Sequence, residues 1–224
     1  MVVGLGGEGY QGESGLGLSV RMAMRRARLT AIPRSILGSM RSDLPALARD
    51  IGVPERTLRR AVQRGTVRCH RPGVRQVELA ADERTYLREN WETISTLTEA
   101  LRTERNVRLA VLFGSMARGG AGVDSDVDVL VSLAEDRPMY LFYLAVRLTR
   151  ALGRDVDVLS LKHVRAHDPA LLGAILQDGR PLVDREDSWP ALIAKRPTVE
   201  RAAVKARAQR RRRAAQAVRQ LTRA

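Results

Sequence analysis

From Val107 to Val183 the chain alternates short apolar runs of strand length with segments whose apolar residues recur every three or four positions. The strand-length runs are Val107–Phe113, Asp126–Leu133, Arg154–Leu159 and Arg180–Val183. Between them, Leu141, Leu144, Ala145, Leu148 and Leu152 share one face of a helix predicted over Pro138 to Leu152. A further helix is predicted over Asp168 to Gln177. There Asp168 can cap, Pro169 suits the first helical position and Gly179 follows the end. Alternation of this kind predicts an α/β domain, its helices packed on the faces of a sheet.

Upstream, residues 42–64 read as two short helices. Ser42 or Asp43 can cap the first, Pro45 is allowed in its first turn, and Leu44, Leu47, Ala48 and Ile51 line one face. Gly52 breaks it, and a second helix restarts from Val53-Pro54, with Leu58 and Val62 apolar. Thr66–His70 and Val74–Leu79 flank Arg71-Pro72-Gly73, which predicts a small hairpin. A longer helix is predicted over about Asp82 to Arg102, burying a stripe of Leu87, Trp91, Ile94, Leu97 and Leu101. The expected organisation is a flexible leader over 1–40, a helical pair with a hairpin over 41–79 and a connecting helix over 80–105. The α/β domain follows over 106–188, then a basic helical tail over 189–224.

The leader holds seven glycines in its first 19 residues, including a formal GxGxxG from Gly4 to Gly9. It lacks the preceding strand and following helix that a dinucleotide fingerprint requires. The net charge of +14 is unevenly spread. Residues 1–105 carry 18 Lys/Arg against 12 Asp/Glu, residues 106–194 carry 10 against 12, and residues 195–224 carry 11 against 1. Two basic ends around a near-neutral centre favour polyanions. One cysteine, Cys69, and three histidines exclude a disulfide scaffold and a Cys/His zinc site. With no membrane-spanning apolar run and no secretory signal at the start, a cytoplasmic chain without a membrane partner is expected.

The chemistry concentrates between Leu112 and Val131. An apolar strand ends in Gly114-Ser115, and the next residues can open a short helix, whose exposed N–H groups and small hydroxyl suit a phosphate. Asp126 and Asp128, two apart on a strand, project from one face, while Val127, Val129 and Val131 point into a core. Two carboxylates on one face of an apolar strand repel, and a divalent cation is the simplest compensation. In Arg154-Asp155-Val156-Asp157, Asp155 and Asp157 also share a face, and one of them can complete a three-carboxylate cluster able to hold two Mg²⁺ ions. Asp157, deeper in the strand, is preferred; Asp155 at the strand entrance can simply be solvated.

The stretch from Gly114 to Val131 resembles the nucleotidyltransferase superfamily that includes DNA polymerase β, and within it the minimal nucleotidyltransferases. Their pattern G-S-x-A-R-G-x-A-x-x-x-S-D-x-D-x-x-V is met at every fixed position. The resemblance implies an α+β fold with a mixed sheet flanked by helices, and the transfer of a nucleoside monophosphate from ATP or another NTP with release of pyrophosphate. It further implies that Gly114 and Ser115 hold the nucleotide phosphates, with Arg118 close to them. Asp126 and Asp128 then ligate two Mg²⁺ ions, and Asp157 is the third carboxylate, near the acceptor hydroxyl. Minimal nucleotidyltransferases often act as antitoxins that add AMP to a partner toxin, so a protein acceptor is implied as well.

Ala48 to Leu58 resembles a DNA-binding helix-turn-helix. Arg56, Arg59, Arg60, Gln63 and Arg64 on the second helix would meet DNA, and Arg68, Arg71 and Arg75 would serve as a wing. The bland alternative is an αα-hairpin with solvent-facing arginines. A rival function follows: a DNA-binding regulator whose nucleotidyltransferase fold only senses nucleotide or is inactive.

Overall fold

The computed structural model describes residues 44–73, 76–120, 122 and 125–221, with side chains described up to Gln216 apart from 72–76. The expected leader, the caps Ser42 and Asp43, and Arg75 lie outside the described residues. Residues 41–224 form one compact unit.

Two helices open it, α1 (Leu44–Asp50) and α2 (Glu55–Arg64), with Gly52 between them at φ +70. That left-handed backbone costs a glycine little and a side-chain-bearing residue about 1–2 kcal/mol. An antiparallel ribbon of β1 (His70–Gly73) and β2 (Gln76–Glu78) leads to the long helix α3 (Ala81–Thr103). A mixed α/β layer follows: β3 (Val107–Phe113), α4 (Gly114–Arg118), β4 (Val127–Leu133), α5 (Pro138–Leu152), β5 (Val156–Ser160), α6 (Leu161–His167), α7 (Pro169–Asp178) and β6 (Arg180–Asp184). Helices α8 (Ser188–Ala194) and α9 (Arg196–Leu221) end the described chain.

The sheet order is β5-β4-β3-β6; β4 and β5 run parallel, and β3 is antiparallel to both β4 and β6. Period-two alternation sends each strand into two cores. Ala110, Leu112, Val127, Val129 and Val131 join the α3 stripe of Leu87, Trp91, Ile94, Leu97 and Leu101, together with Leu44, Leu47 and Leu58 of the first two helices. On the opposite face Leu109, Val111, Phe113 and Leu130 pack with Leu172, Ile175 and Leu176 of α7 and with Trp189. One apolar cluster thus runs from Leu44 to Val183, so the helical pair is built onto the sheet's own core.

Several expectations need correction. Arg71, Pro72 and Gly73 are not the hairpin turn but lie in β1, where Gly73 pairs with Gln76 of β2. The cause is upstream. Thr66 and Val67 are buried, their N–H groups bond the Ala61 carbonyl at the end of α2, and the Thr66 hydroxyl donates to the Pro181 carbonyl. Residues 66–69 are therefore committed to α2 and β6, and the ribbon starts only at His70. Asp126 and Asp155 precede their strands instead of lying within them. Helix α6 was not anticipated; its Ser160 cap, accepting from the His163 N–H, was the readable signal. The single helix expected from Trp189 is two. Asp184 accepts from Ser188 N and Trp189 N to start α8, and Pro197 fits only the first turn of a new helix. Beyond Ala203, every side chain from Arg207 to Gln216 is exposed. No helix among the described residues is long and apolar enough to cross a membrane.

Candidate functional site

The site residues come together because of register. Phe113, the last residue of β3, lies opposite Asp128 on β4, and Asp128 lies beside Asp157 on β5. Adjacent strands are roughly 4.8 Å apart, so the Gly114-Ser115 bend, Asp128 and Asp157 form a row across three strands at one end of the sheet. Asp128 and Asp157 share a face because each alternates with a residue of the opposite core, Val127 or Val129 and Val156. Asp155 stands outside β5, and its backbone carbonyl accepts the Val127 N–H at 3.0 Å, which sets Asp126 next to the strand pair. Arg154 donates to the Ser125 and Gly122 carbonyls and ties down the loop that leads into β4.

The bend itself is tight. Gly114 has φ +74, and a Cβ placed there would lie 1.9 Å from Asp128 Oδ2. The backbone therefore sits directly on the carboxylate, and only a residue without a side chain permits it. Gly114 and Ser115 are half-buried, whereas Arg118 at the far end of α4 is exposed. Asp126 and Asp157 are exposed and Asp128 is half-buried.

Burial pushes the Asp128 carboxyl above the usual carboxylate range, and the charges of Asp157 and Asp126 push it further, while Arg118 opposes them. Asp128 therefore feels both other carboxylates and the arginine of α4. Among the described residues no three His, Cys, Asp or Glu side chains stand close enough together to ligate one ion. The row offers hard oxygen donors along one edge, the donor type that Mg²⁺ takes, with mutual repulsion opposing closer approach. Donors of this chemistry suit a hard divalent cation, although no three of them stand at the spacing of one shared ion.

A stability prediction follows from the raised pKa. Between the ordinary carboxylate range and the raised value, the folded chain holds more protons on Asp128 than the unfolded chain. Stability therefore falls as pH rises through that window. In chelator, Asp128→Asn is expected to remove this part of the fall, seen in urea midpoints measured from pH 4 to 8; superimposable profiles would contradict it.

Of the residues expected at DNA, Arg56, Arg59, Arg60 and Gln63 are exposed on α2, whose Leu58, Ala61 and Val62 are buried. Arg59 pairs with Glu55 at 2.6 Å along the helix, and Arg64 is half-buried. Of the expected wing, Arg68 and Arg71 are exposed, and Arg75 lies outside the described residues. Arg68 is tied to the Asp178 carbonyl at 2.6 Å and Arg71 to the Val62 carbonyl at 3.4 Å, both within the fold.

Residues 95–188 match the family model described as polymerase beta, nucleotidyltransferase. The chain is also 32% identical over 97 residues to MJ1379 of Methanocaldococcus jannaschii, a protein provisionally named a protein adenylyltransferase. That match covers 39% of this chain and 95% of the relative. The chain belongs to the polymerase beta nucleotidyltransferase family. It is a nucleotidyltransferase, with 94 residues before and 36 after the matched segment. Among solved structures, it is similar to a toxin–antitoxin crystallised with AMP-PNP, at 21% identity and TM-score 0.45 over 56% of this chain and 98% of that one. It is also similar to a chain from the complex of tri-AMPylated Shewanella oneidensis HEPN toxin with MNT antitoxin, at 20% identity and TM-score 0.43 over 58% and 98%.

Sequence reasoning missed Arg180 and Glu83, which line a cavity with Arg118 and Gly119 at the end of α4. Arg180 is 2% exposed and donates from Nε to the carbonyl of Ala117 in α4 at 2.8 Å. Its partner Glu83 lies 97 positions earlier, and no local pattern links the two.

Proposed function

We propose that the chain transfers AMP from ATP to a hydroxyl of a protein partner and releases pyrophosphate. The observation that carries the reading is the in-register row of the Gly114-Ser115 bend, Asp128 and Asp157, with Asp126 beside it. The name borne by the archaeal relative supports AMP and a protein acceptor. A toxin-like acceptor, as in toxin–antitoxin pairs, is the form of partner we favour, and ATP as donor agrees with a cytoplasmic setting.

Each side chain has a defined task in this proposal. Gly114 leaves room for a phosphate against the backbone, the Ser115 hydroxyl donates to a phosphate oxygen, and Arg118 meets the charge of the triphosphate. Asp126, Asp128 and Asp157 would hold two Mg²⁺ ions, which when bound neutralise phosphate charge and acidify the acceptor hydroxyl. Asp157, exposed at the strand edge, accepts the hydroxyl proton. The acceptor oxygen bonds to the α-phosphorus as the bond from that phosphorus to the bridging oxygen breaks, and pyrophosphate carries away the electron pair. Incubating the purified protein with ATP labelled in the α-phosphate, Mg²⁺ and lysate of its source cells tests the proposal. Label should become covalently attached to protein; label found only on RNA or on a small molecule would refute the protein acceptor.

A second activity, DNA binding through α2, is favoured by the exposure of Arg56, Arg59, Arg60 and Gln63 on one helix whose opposite face is buried. Together with nucleotidyl transfer it suits autoregulation of an operon; alone it is the regulator reading. Arg59→Ala/Arg60→Ala is expected to weaken DNA binding and to lower the slope of log affinity against log salt by about 2. An unchanged slope in a fluorescence anisotropy titration would remove DNA from the proposal.

A further inference from the structure

Arg180 opens β6 and spends its guanidinium in several directions. Nη1 and Nη2 meet Oε1 and Oε2 of Glu83 at 2.6 and 2.8 Å, Nη1 also donates to the Thr66 carbonyl at 3.1 Å, and Nε donates to the Ala117 carbonyl at 2.8 Å. The Tyr86 ring lies against it, 3.8 Å from guanidinium carbon to ring centroid. Glu83 is itself buried, and its Oε1 also accepts the Arg68 backbone N–H at 2.9 Å. Together with Arg118 and Gly119 these groups border a cavity of about 510 Å³ beside the end of α4.

The geometry matters because α4 has only five residues. A helix of that length cannot hold itself in water, so its orientation comes from tertiary contacts. Its Ser115 and Met116 carbonyls accept from Gly120 N and Gly119 N, and the Ala117 carbonyl accepts from Arg180. A cation at a helix C-terminus also complements the helix dipole. The fork of Glu83 fixes the plane of the guanidinium, so Nε has one direction in which to donate. The opposite end of the same helix is the Gly114-Ser115 bend.

We propose that Glu83 and Arg180 are positioning residues for nucleotidyl transfer, holding α4 so that Ser115 and Arg118 meet the triphosphate. Glu83 lies outside the family-matched residues 95–188, so this chain's own N-terminal extension would set the geometry of its nucleotide site. The inference rests on the reading of Gly114 to Arg118 as the phosphate-binding element.

A merely structural pair and a positioning pair behave differently when both partners become apolar. Replacing a buried ion pair by apolar residues of similar size commonly leaves folding intact, but here it deletes the bond to Ala117. Glu83→Met/Arg180→Met is therefore compared with wild type by thermal melting and by equilibrium binding of a fluorescent ATP analogue with Mg²⁺, which needs no acceptor. The expected result is a Tm within a few degrees of wild type and binding weakened about tenfold or more. Glu83→Gln keeps a one-sided hydrogen bond to the fork and should show a smaller loss in the same direction; it carries the test if the double variant does not fold. A folded variant that binds the analogue like wild type overturns the positioning role. Ser115→Ala separates the two levels. If it binds as tightly as wild type, the phosphate reading fails and the inference with it. If it loses binding while the Glu83/Arg180 variants do not, only the positioning role fails.

Discussion

Asp128→Asn is expected to lower AMP transfer on the order of 10³-fold or more while leaving the chain folded. Metal-assisted stabilisation of transition-state charge amounts to several kcal/mol, and each 1.4 kcal/mol is a factor of ten in rate. Asp128 occupies the centre of the row, between the Gly114 backbone and Asp157, and its carboxyl feels both neighbouring carboxylates and Arg118. An amide of the same size keeps the packing but removes a charge that the fold holds at some cost. Loss of activity with an equal or higher Tm in chelator is the expected combination. Activity within tenfold of wild type would mean that Asp128 is not at the centre of the chemistry.

Gly114→Ala is the second large effect, and its cause is steric. The new Cβ would lie 1.9 Å from Asp128 Oδ2 and 2.9 Å from its Cγ, at a backbone φ of +74. The left-handed backbone alone costs about 1–2 kcal/mol. Relief of the clash must move either the bend or the central carboxylate. A displacement on the scale of 1 Å at a reacting centre costs about 10²-fold in rate. Transfer rate and ATP binding should both fall, with a Tm lowered by several degrees. Normal ATP binding by a folded Gly114→Ala protein would place the phosphates elsewhere.

How much of this was legible in the sequence depends on how local the cause is. The bounds of β3 and α5 follow from apolar periodicity, as does the buried stripe of α3, because each element carries its own pattern. The motif from Gly114 to Asp128 is also local, since the bend and the first two carboxylates are separated by one short connection. Depth in the strand already favours Asp157 over Asp155 from sequence, and in the fold Asp157 lies beside Asp128, whereas the Asp155 carbonyl serves as backbone acceptor for Val127. The hairpin was misplaced because Pro72-Gly73 carries a turn signal, while burial of Thr66 and Val67 against α2 and β6 decides where the ribbon starts. The Glu83–Arg180 pair was invisible, as was the bond from Arg68 to the Asp178 carbonyl. Both depend on contacts between segments far apart in the chain.

The central claim is that these residues move a nucleotidyl group and not a phosphoryl group. Parallel reactions with ATP labelled at the α- or the γ-phosphate, read as radioactivity retained on acid-precipitated acceptor, test it most directly. The account predicts that the α label is retained and the γ label leaves as pyrophosphate, and that Asp126→Asn/Asp128→Asn abolishes retention. Retention of the γ label, or α-label transfer that survives the double substitution, would contradict it.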